Sequence, residues 1–282
     1  MLDTISQFRQ YFPDQFELII VDQTTDLPPA AAAALAKLDT SGLIRWLQLP
    51  KPSIPAAMNR GLLAAKGEAV LFLDDDIQLN DSLLSAHLAG QKTSALVAGQ
   101  VLQPGEFPTR LRPGQPFLFR SDASRWIREF MGGNFSVNRA KALELGGFDE
   151  NFVGAGYRFE AEFANRFVKK FGKILFTPEA SIRHLQLAAG GTRAHGHHLR
   201  TAGSAHSVGA YYYLLRVRPR RWWRKVLLRP ARAIRTRHHL QRPWWIPVTL
   251  LAELRGFFRA IWLLARGPKL IDPDLAVARG KG

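Results

Sequence analysis

Short apolar runs alternate with amphipathic stretches along the first two-thirds of the chain. The segments "FELIIVD" (16–22), "LIRWLQL" (43–49), "EAVLFLD" (68–74) and "ALVAGQVL" (95–102) have the length and composition of buried strands. Between them the pattern predicts helices: the Ala-rich stretch after Pro29, then 54–66 with Ser53 as cap and Pro55 in the first turn. A third covers 81–90, capped by Asn80 or Asp81. Residues 103–124, rich in Pro, Gly and Arg, read as a long loop. After it come "GGNFSV" (132–137), a short helix around 139–145, "GGFDENF" (146–152), a helix over 160–171 and a strand "KILFTP" (173–178). Strands alternating with helices predict an α/β domain with a largely parallel sheet.

From about residue 211 the character changes to Arg, Trp and Leu, which divides the chain into a domain over 1–210 and a segment over 211–282. Charge sharpens that division. The whole chain carries a formal +16, but residues 1–210 hold 22 Lys and Arg against 20 Asp and Glu, whereas residues 211–282 hold 17 against 3. Within the basic segment, "PWWIPVTLLAELRGFFRAIWLLARGP" (243–268) has a longest charge-free run of 243–252, about half the length a bilayer requires. On a helical wheel Arg255, Arg259 and Arg266 share one sector, and Leu250, Leu254, Phe257, Phe258, Ile261 and Leu264 another. That arrangement suits a helix lying in an anionic membrane interface. Core packing of the same stripe is the rival reading, and nucleic acid the least favoured partner. The expected location is cytoplasmic, peripheral on the inner face of the cell membrane; Met1 is not followed by the basic start and apolar run of a signal peptide. With no cysteine, the chain has neither disulfides nor thiolate chemistry.

The candidate chemistry lies in carboxylates. Asp74, Asp75 and Asp76 follow the apolar run "AVLFL", at the carboxyl end of a strand, where open α/β sheets bind ligands. Alternation turns Asp74 and Asp76 the same way and Asp75 the other. Two such carboxylates suit a hard divalent cation, Mg²⁺ or Mn²⁺; an Asp-rich turn before the next helix is the alternative. In the helix over 160–171, Phe163, Ala164, Phe167, Val168 and Phe171 form an apolar stripe with Glu160 in its middle, while Glu162 points the opposite way and pairs with Arg166. A carboxylate on the inward face of a first turn is either a complement to the helix dipole or a general base of raised basicity.

Four segments in register carry a resemblance: "FELIIVDQTTD", "PAAMNRGLLAAKGEAVLFLDDDI", "GGNFSVNRAKALELGGFDENF" and "YRFEAEFANRFVKKFGKILFTPEASIRHL". Over residues 1–200 the chain resembles family 2 glycosyltransferases of the GT-A fold, a Rossmann-like, mostly parallel sheet flanked by helices. The resemblance implies a metal-dependent, inverting transfer of a sugar from a nucleotide-diphosphate donor to a hydroxyl of a saccharide or lipid-linked acceptor. It implies that Asp74 contacts the donor ribose, that Asp76 binds the metal with His184 beside it, and that Glu160 is the catalytic base. Asp22, Gln23, Asn59, Arg60 and Asp75 fall where the donor is held, and Arg193 where a mobile loop clamps the diphosphate. His195, His197 and His198 in the same loop read as solvated. Relatives begin with an apolar strand and a "PTYNR"-like turn, whereas Met1 here opens inside the helix expected after it, so a missing interior strand is expected. A hydrolase using the same aspartates is a weaker match, because Gln78 stands where that chemistry wants Thr or Val.

Overall fold

The structure, a computed structural model, describes residues 2–12, 16–112, 114–186 and 200–272. The chain opens with α1 (Leu2–Tyr11), β1 (Ile19–Asp22), α2 (Pro29–Thr40), β2 (Arg45–Gln48), α3 (Ile54–Ala64), β3 (Ala69–Leu73) and β4 (Ile77–Leu79). It continues through α4 (Leu83–Gln91), β5 (Leu96–Leu102), β6 (Arg125–Ile127), β7 (Asn134–Asn138), α5 (Arg139–Glu144), α6 (Phe159–Phe171) and β8 (Ile174–His184). Among the described residues after 200 come α7 (Val208–Val217), α8 (Trp222–Ile234), α9 (Arg237–Gln241), a 3-10 turn (Pro243–Trp245) and α10 (Ile246–Ala265). The boundary expected at 211 thus falls inside α7.

Local signals act where expected. Ser53 caps α3 by accepting the Ala56 N–H at 3.4 Å, with Pro55 in the first turn. Gly172 ends α6 in the left-handed region at φ 97°, which a side chain would resist. The helix expected from 81 starts two residues later, because Asn80 accepts the Ser82 N–H in a turn instead of capping.

The sheet is mixed, which corrects the expected mostly parallel arrangement. A six-stranded sheet runs β3-β7-β5-β8-β4, with β6 also on β8; β5 and β8 are parallel, and every other pair in it is antiparallel. The reason is β7, which the sequence pattern did not mark as a strand and which inserts antiparallel between β3 and β5. β4 and β6 are likewise short antiparallel additions, and β8 runs on to His184 rather than stopping at 178. β1 and β2 form a separate parallel pair. Among the described residues, β1 and β3 each pair along one edge, and β3, apolar throughout, is only half-buried.

The main core gathers Phe135, Phe148, Phe163, Phe167 and Phe176 under the sheet. Tyr211, Tyr212, Ala260, Leu263 and Ile271 belong to the same cluster; α7 packs on α6, and α10 packs on α7. Close approach of α7 and α10 needs Gly256, where a Cβ would come within 2.1 Å of the Ser207 hydroxyl. The buried face of α10 is therefore Thr249, Ala252, Glu253, Gly256, Ala260 and Leu263, while Leu250, Leu254, Phe258 and Ile261 of the apolar stripe stay exposed.

Candidate active site

Pairing of β4 with β8 builds the centre of the site. Its register sets Ile77 opposite His184, and the Leu185 N–H donates to the Asp76 carbonyl at 2.8 Å, so the histidine arrives beside Asp76. His184 Nε2 lies 2.8 Å from Asp76 Oδ1 and 3.7 Å from Asp74 Oδ2. One ligand atom from each of Asp74, Asp76 and His184 lies within 4.8 Å of the others. Asp75 is outside the group: it is exposed, and its carbonyl accepts the Thr4 hydroxyl of α1 at 3.0 Å.

The surroundings tune this set. Gln103 Oε1, which accepts only, faces His184 Nδ1 at 3.2 Å and also takes a hydrogen bond from Gln186 at 2.7 Å. An Nδ1–H donated to Gln103 fixes the ring and turns Nε2 to the carboxylates. Two carboxylates and an imidazole nitrogen, all oxygen and nitrogen donors, fit a divalent cation such as Mn²⁺. Partial desolvation holds the Asp74 carboxyl above its usual range; His184 opposes this, and Asp76 and Asp75 add to it.

The Gly132–Gly133 pair connects this centre to α6. The Asp74 N–H donates to the Gly133 carbonyl at 3.2 Å, and a Cβ on Gly133 would meet Asp74 Oδ2 at 2.2 Å. A Cβ on Gly132 would meet the Phe159 ring at 3.1 Å, one residue before Glu160. Glu160 is half-buried in the first turn of α6, and desolvation pushes its carboxyl up; its own backbone N–H and Arg158 pull it down, while Glu129 raises it. Arg158 pairs with Glu129 at 3.3 Å and stands at φ 74°, a strained conformation for a residue with a side chain.

The helical wheel placed Glu162 opposite the apolar stripe, yet it is more deeply buried than Glu160, at 1% exposure. It does pair with Arg166, at 2.8 Å, but its face is covered by α7, whose Arg216 also reaches it. Asp22 is buried at the end of β1, accepting from the Thr24 N–H at 2.9 Å and the Trp46 indole at 3.4 Å. Gln23 Oε1 accepts the Ser53 N–H at 2.7 Å, which leaves its amide NH₂ as the end available to a ligand. Asn59 is buried at 2%, with its amide bonded to the Phe148 N–H and carbonyl and to Glu150, so it shapes the 146–150 turn. Arg60 is exposed on α3. Arg193, His195, His197 and His198 lie outside the described residues. Sequence reading missed Gln103, Gly133, Arg158 and Arg216; of these only Gly133, in the Gly-Gly of "GGNFSV", left a local signal of close approach.

Residues 1–162 match the family described as glycosyl transferase family 2. Among solved structures, a mannosyltransferase from Pyrobaculum calidifontis in complex with GDP-Man and Mn²⁺ is similar at 19% identity and TM-score 0.52, covering 99% of this chain and 74% of that one. GalNAc-T7 with UDP, GalNAc and Mn²⁺ aligns at 15% identity and TM-score 0.48, over 60% of this chain and 37% of its own. TarS from S. aureus aligns at 18% identity and TM-score 0.46, over 64% and 34%. The chain thus spans about a third of the last two. No curated protein matches.

Proposed function

Because the chain belongs to glycosyl transferase family 2, we propose that it moves a sugar from a nucleotide-diphosphate donor to an acceptor hydroxyl, with Asp74, Asp76 and His184 holding Mn²⁺ or Mg²⁺. The convergence of those three side chains carries the reading, because the D-x-D carboxylates alone are equally a turn. A cation bound there supplies Lewis-acid stabilisation of the leaving diphosphate. The residues of the chain do the rest. Asp22 and the free amide end of Gln23 receive the nucleoside, and Asp74 the ribose. Glu160, with a carboxyl already raised by desolvation, takes the proton of the acceptor hydroxyl as it attacks the anomeric carbon from the face opposite the diphosphate, which inverts that centre. Arg60 and Arg193 are the cations assigned to the donor's negative charge.

The acceptor class we assign is a saccharide or lipid-linked saccharide met at an anionic membrane surface. Exposed Trp223, Leu227, Leu254, Phe258 and Trp262 on α8 and α10, among a strongly basic sequence, support peripheral lipid binding on the inner face of the cell membrane. No helix among the described residues is long and apolar enough to cross a membrane.

The test is calorimetric titration of UDP, dTDP and GDP, with and without Mn²⁺, into the wild type, Asp76→Asn and Glu160→Gln. The expected result is metal-dependent binding of one nucleotide, lost in Asp76→Asn and kept in Glu160→Gln, which then fails to transfer sugar. Absence of binding by all three nucleotides, or full turnover by Glu160→Gln, would overturn the corresponding assignment.

A further inference from the structure

We infer that Arg216, on α7 and outside the family-matching region, is a positioning residue for the catalytic helix; this rests on the proposed role of Glu160. Its Nε lies 3.0 Å from Glu162 Oε1 and 3.1 Å from Asp149 Oδ2. Both carboxylates are almost fully buried, at 1% and 0% side-chain exposure. Arg166 is the second cation of the group, gripping both Glu162 oxygens and donating to the carbonyls of Leu145 and Gly147 at 2.6 and 2.8 Å. Two acids and two guanidiniums leave the cluster neutral, which is what such burial requires.

The first turn of α6 depends on this cluster because its ordinary cap is missing. Arg158 occupies the cap position in a left-handed conformation and makes no side-chain capping bond. Glu162, two residues beyond Glu160, thus ties the polar side of the turn to the body, while Phe159 and Phe163 anchor its apolar side in the core. Arg216 joins it to Asp149, whose carboxylate also accepts the Tyr212 hydroxyl at 2.8 Å and the Lys269 N–H at 3.0 Å. The end of the described chain lies along the same turn, with the Ile271 N–H donating to Gly146 O at 2.8 Å and the Glu150 N–H to Lys269 O at 2.9 Å. The helices after 200 accordingly set where Glu160 stands, besides whatever surface they present outward.

The test compares Arg216→Met and the charge-balanced double variant Arg216→Met with Asp149→Asn. Misplacing a base by a fraction of an ångström lowers kcat by about 10- to 100-fold, while donor KM and Mn²⁺-dependent nucleotide affinity stay within twofold of wild type. In the double variant the excess buried charge is gone, so thermal stability returns but kcat stays low, and Arg216→Lys restores part of it. A return of kcat together with stability in the double variant would make Arg216 merely structural and overturn the inference. A wild type that binds nucleotide and turns over, with Arg216→Met unimpaired per folded molecule, sinks the inference alone. A wild type that neither binds nor transfers sinks the proposed function and this inference with it.

Discussion

Acid should loosen the floor beneath the aspartates through one buried histidine. His87 of α4 is 3% exposed, with Nε2 2.9 Å from Asn134 Oδ1 and Nδ1 3.0 Å from the Ser136 hydroxyl. The Asn134 amide NH₂ is already donating to Gln100 O and Ala180 O, so Nε2 carries the proton and Nδ1 accepts: the neutral ring is fully matched. Burial pushes this histidine down to about 4, from 6.5. The unfolded chain therefore takes up a proton first as pH falls. Its contribution is fully present above pH 6.5, is lost as pH drops from there to about 4, and changes no further below. At 1.36 kcal/mol per pH unit the loss reaches about 2 kcal/mol near pH 5 and about 3 kcal/mol near pH 4. Urea unfolding of the wild type and His87→Gln across that range isolates it, because the carboxylates contribute equally to both. The wild type should converge on the variant by about 3 kcal/mol between neutral pH and pH 4. Parallel stability curves would refute the argument, whatever their offset. The consequence is local, since Asn134 pairs with Leu73 and follows Gly133, the two neighbours of Asp74.

Other outcomes follow from the same geometry. Gly133→Ala puts a methyl into the Asp74 carboxylate, so Mn²⁺-dependent nucleotide affinity should fall by about 10- to 100-fold with little change in melting temperature; unchanged affinity in calorimetry would free Asp74 from its assigned role. The acid limb of kcat/KM should lie above the ordinary glutamate range, because desolvation raises Glu160, and should vanish with the residual activity of Glu160→Gln. Leu254→Glu with Phe258→Glu should release the protein from anionic vesicles in flotation and leave nucleotide binding intact; continued flotation would assign that face elsewhere.

What could be read from the chain alone was whatever covalent geometry settles within a few residues. Ser53 and Pro55 start α3. Asp74 and Asp76 do meet His184 in one group, but from the bend between β3 and β4 rather than by the alternation expected of a strand. The apolar stripe of α6 named Phe163, Ala164 and Phe167 as buried before any fold was known. Tertiary structure decided the rest. His184 reaches Asp76 across 108 positions only through the β4–β8 register, and β7 makes the sheet mixed by entering it antiparallel. Glu162 is buried because α7 comes to cover it, a fact outside the reach of a helical wheel. Periodicity and capping are imposed on each segment by its own backbone. Strand order, register and the pairing of distant charges are set instead by which arrangement of the whole chain leaves the fewest buried polar groups unmatched.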